Sequence, residues 1–557
     1  MRMPKHATGS VKILTTRFSR WRGRSRVLAA AAGMVLAVGI FASPAAAVTT
    51  SITLKPSAGP PTTKVTVTGT GFGASETVAV DFSGAQVATA ATSAAGTFSA
   101  TFTVPKPALP GSHPVMATGQ ASGRSATKNF LVRANWAKFH FDAANSGLNP
   151  YENVIGPANV SGLKTAWTAN VTNGVGSSPA VAGGVVYVGS VSGSVYAFSA
   201  AGTAGCSGTP KTCAPLWTGT TGQIEFSSPA VANGVVYVAA ADGKLYAFSA
   251  AGTTGCSGTP KTCKPLWTAA IDGGSTTGQS SPVVAGGVVY VSAGSTLYAF
   301  SAAGTTGCSG TPKTCTPLWT AANVSGESSP AVAAGVIYVG AFNAVAAFSA
   351  AGATGCTGTP PTRTCTPLWT GDASTGSTGG SSSPAVAGGV VYIGSTDGDL
   401  YAFSAAGTTG CSGTPKTCAP LWTGPTTNQI SSAPAVAHGV AYIGSADGKL
   451  YAFSAAGTTG CSGTPKTCAP LWTGATGPIW RSSPAVANGL VYAGSNGKLY
   501  AFSAAGTTGC SGTPKTCAPL WTGTSPSNTT YASSAVANGM VYEGLWNPEG
   551  LLAYKLP

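Results

Sequence analysis

The chemistry available to this 557-residue chain rests on fourteen cysteines, fourteen carboxylates and three histidines beyond its first fifty residues. The cysteines fall into seven close pairs: Cys206 and Cys213, Cys256 and Cys263, Cys308 and Cys315, Cys356 and Cys365, Cys411 and Cys418, Cys461 and Cys468, Cys510 and Cys517. Each pair brackets a loop such as Cys206-Ser-Gly-Thr-Pro-Lys-Thr-Cys213. Two thiolates with no histidine nearby cannot supply the four ligands of a structural zinc site. Disulfides formed in an oxidising compartment are the reading that remains. Closing so short a loop removes ~2.5 kcal/mol of unfolded-chain freedom, and each bridge is expected to be a local staple on an exposed loop and not a tie between neighbouring units. His113, His140 and His438 are too scattered for a catalytic triad. Several of the carboxylates sit in turn sequences such as Asp242-Gly243 and Asp397-Gly398, so the six or more oxygens that a calcium ion wants have no evident source. No catalytic residue, cofactor or metal site is assigned.

The elements that carry these residues repeat. Trp167, Trp217, Trp267, Trp319, Trp369, Trp422, Trp472 and Trp521 recur about every fifty residues, and a fixed period of that size marks a repeat architecture. One copy runs Ser227-Ser-Pro-Ala-Val-Ala, Gly234-Val-Val-Tyr-Val, Asp242-Gly-Lys-Leu-Tyr-Ala-Phe248, a cysteine loop, and Pro265-Leu-Trp267. Four strands fit each copy. Asp242-Gly243, Asp397-Gly398, Asp447-Gly448 and Asn496-Gly497 are expected to form two-residue type I′ hairpin turns. Tyr237 and its equivalents are expected to pack between units. A four-stranded unit cannot bury both faces alone, so the copies must pack on one another and close into a ring. The last copy begins at Ser533 and ends without its tryptophan strand, while an unpaired one stands near Trp167. Pairing the two would remove an exposed sheet edge. The predicted fold is all-β: an eight-bladed β-propeller over 134–557, preceded by an immunoglobulin-like β-sandwich over 48–133.

The formal charge of +15 owes eight positive charges to the first 26 residues. They precede an apolar run from Val27 to Ala42 and the small residues Ala45-Ala46-Ala47, the pattern of a secretory signal peptide over 1–47. The run is shorter than the ~20 residues of a membrane span, and no transmembrane segment follows it. A secreted protein, extracellular or at a cell surface, is the expectation. The modest charge left after the leader argues against a nucleic-acid partner.

Two resemblances follow from the residues quoted. The stretch Val65 to Phe82, with Gly69, Gly71, Phe72 and Gly73 at its centre, resembles bacterial immunoglobulin-like domains of the IPT/TIG type. The pattern Ser-Ser-Pro-Ala-Val, Val-Val-Tyr-Val-Gly, Leu-Tyr-Ala-Phe and a later Trp is similar to the PQQ-like (quinoprotein-type) β-propeller repeat, and Trp136 to Trp167 is similar to the segment preceding such propellers. That resemblance implies the propeller fold. In the enzymes of the family it would also imply a quinone, calcium held by carboxylate and amide oxygens, an aspartate base and often an adjacent cysteine pair. Those parts have no counterparts here, since no two cysteines are neighbours.

In a ring of near-identical units, function must come from residues that break the repetition. The segments between each Trp strand and the next Ser-Ser vary while their flanks stay fixed, and they carry Glu225, Phe226, Gln279, Glu327, Gln429, Trp480, Arg481 and Tyr531. They are expected at the mouth of the channel, where aromatics and amides suit a glycan or peptide. Lys211, Lys261, Lys313, Arg363, Lys416, Lys466 and Lys515 recur in the cysteine loops. They should form a positive ring on the opposite face, suited to an anionic cell-wall polymer or simply to solubility. The expected function is a non-enzymatic binding or scaffold protein with no cofactor. The alternatives are a PQQ-dependent oxidoreductase and an envelope protein-assembly scaffold.

Overall fold

The computed structural model describes residues 49–271, 280–341, 344–372, 382–524, 531–546 and 550–557. The expected signal peptide over 1–47 and Gln279 therefore lie outside the described residues. What is described is strand and turn, with a single 3-10 turn at Val160–Gly162.

The N-terminal sandwich packs a sheet of Ser51–Lys55, Lys64–Thr70 and Phe98–Thr103 against one built on Ser125–Val132, Gly111–Gly119, Thr77–Phe82 and Ala85–Ala91. Alternation along these strands sends Val65, Val67, Val78, Val80, Phe102, Val115 and Phe130 inward to one core, as period two requires.

Each copy of the repeat forms one sheet, and eight such sheets are described. The first blade runs Ala180–Ala182, Val185–Ser190, Ser194–Ser199 and Trp217–Thr220, from the channel outward, all antiparallel. The ring closes through Lys164–Ala169, which pairs antiparallel with Gly550–Lys555 and so supplies the outer strand of the last blade.

Blades are held to one another in three ways. Buried tyrosines of the second strands donate across the blade boundary: Tyr187 Oη to the Ala250 carbonyl at 3.0 Å, Tyr237 to Ala302 at 2.8 Å, and Tyr542 across the closure to Ala200 at 3.1 Å. The tryptophan indoles share the same acceptors, as Trp217 Nε1 does with Ala250 at 3.2 Å. The third tie corrects the expectation for the cysteine loops. All seven disulfides form as paired above, but each closes a small hairpin that reaches onto the outer strand of the preceding blade. Thr218 pairs in parallel with Thr262, and Thr218 N donates to Lys261 O at 3.0 Å. The same contact recurs seven times around the ring, from Thr168 with Thr212 to Thr473 with Thr516. The bridges are local, yet the hairpins they stiffen are ties between blades, because the outer strand would otherwise present unpaired amides.

The hairpin turns also differ from expectation. Of the four turns named, Asn496-Gly497 alone has positive φ at both residues, 47° and 70°. At Asp242-Gly243 the ladder closes on Ala240 and Lys244, so the loop holds three residues and needs a positive φ at Gly243 alone (71°). This is the three-residue loop with a left-handed glycine. The freed aspartate accepts the hydroxyl of Tyr246 at 2.5 Å, and Asp397 likewise accepts that of Tyr401 at 2.7 Å. Two-residue turns with both φ positive instead join the first and second strands, as at Asn233-Gly234 and Asn488-Gly489.

Candidate functional site: the axial cup and its mouth

Buried serines lead into the first strand of each blade, and these form a belt. Ser178 N donates to Ser228 Oγ, Ser228 N to Ser281 Oγ, Ser281 N to Ser329 Oγ, and Ser329 N to Ser383 Oγ, each at 2.9 Å. Ala433 N donates to Ser483 Oγ, Ser483 N to Ser533 Oγ, and Ser533 N back to Ser178 Oγ, again each at 2.9 Å. The belt joins the last blade to the first. Its gap falls at Ala433, which has no hydroxyl to offer Ser383.

Beneath the belt, residues 136–149 run along the inner strands and stopper the channel. Trp136 pairs with Val181, and the carbonyls of Ala137, Ala143, Ala144, Ser146 and Gly147 accept the amides of Val231, Val332, Val386, Val436 and Val486. Asn145 Nδ2 donates to the carbonyls of Ser329, Pro330 and Pro384 at 3.0–3.3 Å. Lys138 is buried, its ammonium satisfied by Phe139 O, Asp142 O and Asn145 Oδ1. Burial pushes it down to about 7 against the opposing pull of Asp142. Burial likewise lowers His140 to about 3, so its imidazole is neutral, with Nδ1 facing Asn145 O at 3.2 Å and Nε2 without a partner among the described residues. Phe139 lines the cup that the belt encircles.

Above the belt stand the residues that interrupt the repeat. Arg481 Nη2 meets Glu327 Oε2 at 2.8 Å, a bridge between the segments leading into the seventh and fourth blades. The Arg481 guanidinium carbon lies 4.0 Å from the centroid of Phe226, within cation–π range. Phe226 stacks on Trp546 at 6.2 Å, and Tyr531 meets both rings edge-on at 6.2 and 5.5 Å. Gly176 lets this cluster close, since a Cβ there would lie 2.0 Å from Glu225 O and 2.5 Å from the Trp546 ring. The cup measures about 50 Å³. A second cavity of about 330 Å³ lies beside it, lined by Gln429, Ser431, Trp480, Arg481 and Tyr531. Ser431, Arg481 and Tyr531 line both. Trp480 is 47% exposed, one of the few large apolar side chains the protein turns outward.

Of the residues singled out from sequence, Phe226, Glu327, Arg481 and Tyr531 line the cup, and Gln429 and Trp480 line the cavity beside it. Glu225 is half-buried next to them and contributes its carbonyl against Gly176. Sequence reasoning missed Trp546 and Phe139, as well as the serine hydroxyls, which recur in every copy and so carried no signal of difference. The basic residues of the cysteine loops are partly spent on their own hairpins: Lys313, Lys466 and Lys515 donate to Gly304, Gly457 and Gly506 carbonyls at 3.0–3.2 Å, and Arg363 to Gly352 at 3.3 Å. Among the described residues no three of His, Cys, Asp and Glu gather closely enough to hold a metal ion. Nor is any described helix long and apolar enough to cross a membrane.

Comparison with known proteins agrees with this architecture. The family model described as outer membrane protein assembly factor BamB, a PQQ-like repeat model, matches residues 161–406, 212–459 and 361–508, and an IPT/TIG domain matches residues 47–132. No curated protein sequence matches significantly. Among solved structures, a quinohemoprotein alcohol dehydrogenase from Pseudomonas putida HK5 superposes with a TM-score of 0.51 at 15% identity, covering 76% of this chain and 80% of its own. BamB from Moraxella catarrhalis gives 0.49 at 14% identity over 71% of this chain and 99% of its own. The computationally designed Ika8 protein gives 0.49 at 12% identity over 70% and 99%. With the repeat model spanning well over half of its length, and an IPT/TIG domain ahead of it, the chain belongs to the PQQ-like β-propeller repeat family.

Proposed function

We propose that this is a secreted, non-enzymatic binding protein whose ligand docks at the channel mouth, against Trp480, Gln429, Arg481 and Tyr531. One observation carries the reading: non-repeating residues from the segments before the second, fourth, sixth, seventh and eighth blades converge on one polar, aromatic-rimmed opening. Rigid scaffolds place binding groups on such loops. An exposed indole beside amide and guanidinium groups suits stacking against a sugar face or a peptide side chain. Export is supported by seven disulfides and by the basic, then apolar, N-terminal sequence.

A quinone-dependent oxidoreductase fits the residues less well. The cup is small, about 50 Å³, and Arg481 and Glu327 bridge its mouth. The family model's own description favours a second non-enzymatic reading, a scaffold on which other envelope proteins assemble. Both are tested by presenting the purified protein to arrays of glycans and short peptides, with Trp480→Ala and Tyr531→Ala alongside. Binding that disappears in these variants while the thermal transition stays in place supports the mouth. Binding lost instead on neutralising Lys211, Lys261 and Lys416 moves the site to the opposite face.

A further inference from the structure

The belt leaves a set of hydrogen-bond donors unspent. The Oγ atoms of Ser178, Ser228, Ser281, Ser329, Ser383, Ser483 and Ser533 each accept a backbone amide. A hydroxyl that accepts still has its own proton to give. Among the described residues the one recorded acceptor for any of these protons is the Arg481 carbonyl, 3.4 Å from Ser483 Oγ. All seven serines are at least nine-tenths buried and all line the cup. These hydroxyls and the Arg481 side chain line one shared space.

We infer that the cup is a receptor for a carboxylate: the acid end of a ligand enters past Arg481, accepts the belt hydroxyls, and displaces Glu327 from the guanidinium. This deepens the mouth reading and rests on it. The dimensions agree. A cavity of about 50 Å³ holds a carboxylate or a few waters but not a sugar ring, whereas the adjoining 330 Å³ beside Trp480 takes the body of the ligand. Glu327 is the internal stand-in. Its Oε2 already occupies the guanidinium, at 2.8 Å, with a side chain 32% exposed and therefore free to swing into solvent. Planar guanidinium and carboxylate groups pair by geometry as well as charge, so an incoming carboxylate competes on equal terms and gains the hydroxyls besides.

The test uses the full-length protein, titrated calorimetrically with N-acetylphenylalanine and its primary amide, and with glucuronic acid and glucose. Wild type, Glu327→Gln, Arg481→Gln and Ser329→Ala are compared. The expected result is that at least one acid binds and its neutral partner does not. Removing the internal competitor in Glu327→Gln tightens that binding roughly tenfold, and Arg481→Gln weakens it by about as much or more. Ser329→Ala weakens it severalfold, with a small drop in the thermal transition because Ser281 N loses its acceptor. Response to the amino acid alone assigns a peptide terminus, and response to the sugar acid alone an acidic glycan. Equal binding of acid and neutral partner overturns the carboxylate inference but leaves the mouth reading standing, provided Trp480→Ala abolishes it. Absence of binding by any of the four to Glu327→Gln overturns the inference, as does tighter binding to wild type than to that variant. The mouth reading falls separately, if no array ligand depends on Trp480.

Discussion

Glu543 stands where the other seven blades carry Val188, Val238, Val291, Val339, Ile393, Ile443 and Ala493. It is fully buried, neither carboxyl oxygen has a partner among the described residues, and burial raises its pKa from 4.5 to about 8. The sign of the linkage follows. Between those values the folded chain keeps a proton that the unfolded chain has released, so stability falls as pH rises through the window. It is level below 4.5 and again above about 8. At pH 7 the gap from 4.5 amounts to about 3 kcal/mol. Glu543→Val restores the side chain used elsewhere in the ring and removes this dependence. The variant is therefore expected to gain about 3 kcal/mol more over wild type at pH 7 than at pH 4.5. With an unfolding entropy of ~2.1 cal/mol/K per residue over a propeller of some 400 residues, that gain corresponds to roughly 3–4 °C. Denaturant titration followed by tryptophan fluorescence at pH 4.5, 6, 7 and 8 reads it directly. If wild type and variant lose stability in parallel across this range, Glu543 is not the protonated group described here and the reasoning fails.

Three further outcomes are expected. Glu76 in the sandwich is held down to about 2 by the Ser122 hydroxyl and amide, helped by the amides of Gly73 and Ala121. Its contribution is complete above the usual 4.5 and lost as pH falls toward 2, so Glu76→Gln should flatten the acid unfolding of the sandwich, read by circular dichroism. Replacing Cys461 and Cys468 with serine should cost ~2–3 kcal/mol. It should also speed hydrogen exchange at Thr423, whose amide donates to Lys466 O at 3.0 Å; unchanged protection there would show that the hairpin ties blades without its bridge. Ile479 is fully buried against Gly444 just before Trp480. Ile479→Ala should cost ~2–5 kcal/mol and weaken ligand binding as well, whereas Trp480→Ala should affect binding alone.

Much of the ring could be read from the chain because period and strand pattern are local properties. Trp167 without a partner and a last copy without its tryptophan strand were enough to place the closing pair. The cross-blade hairpins were not legible, since nothing in Cys206-Ser-Gly-Thr-Pro-Lys-Thr-Cys213 says what Thr212 will lie beside. The Asp-Gly turns misled because loop length depends on which flanking residues pair, and the ladder stops at Ala240. Variation among copies found Phe226, Glu327, Arg481 and Tyr531, yet it could not find Trp546, which lies at the end of a second strand outside those segments. Residues that never vary, such as the belt serines, required the geometry.

The mouth and the one irregular blade boundary among the described residues share an origin. Between the seventh and eighth blades the belt bond from Ser483 N to Ser533 Oγ persists, but two other repeated ties lapse: among the described residues Tyr492 Oη has no acceptor, and Trp521–Thr524 is the terminal strand of its sheet. The lead-in segment takes over there, with Leu148–Asn149 pairing to Ala485–Ala487, Asn149 Nδ2 donating to Val536 O at 2.8 Å, and Glu152 Oε2 accepting Gly539 N at 3.0 Å. The eighth blade thus sends no hairpin onto the seventh, although its own outer strand receives one at Thr168, and it is the blade that brings Tyr531 and Trp546 to the mouth. Elsewhere the variable segments are free to differ because their inner ends are pinned the same way, Ile224 on Gly189, Ile430 on Gly394 and Ile479 on Gly444. A fixed apolar anchor below and an unconstrained stretch above is what allows a near-symmetric ring to carry an asymmetric site. Under the proposed binding role, changes above the anchor would retune the ligand without disturbing the ring.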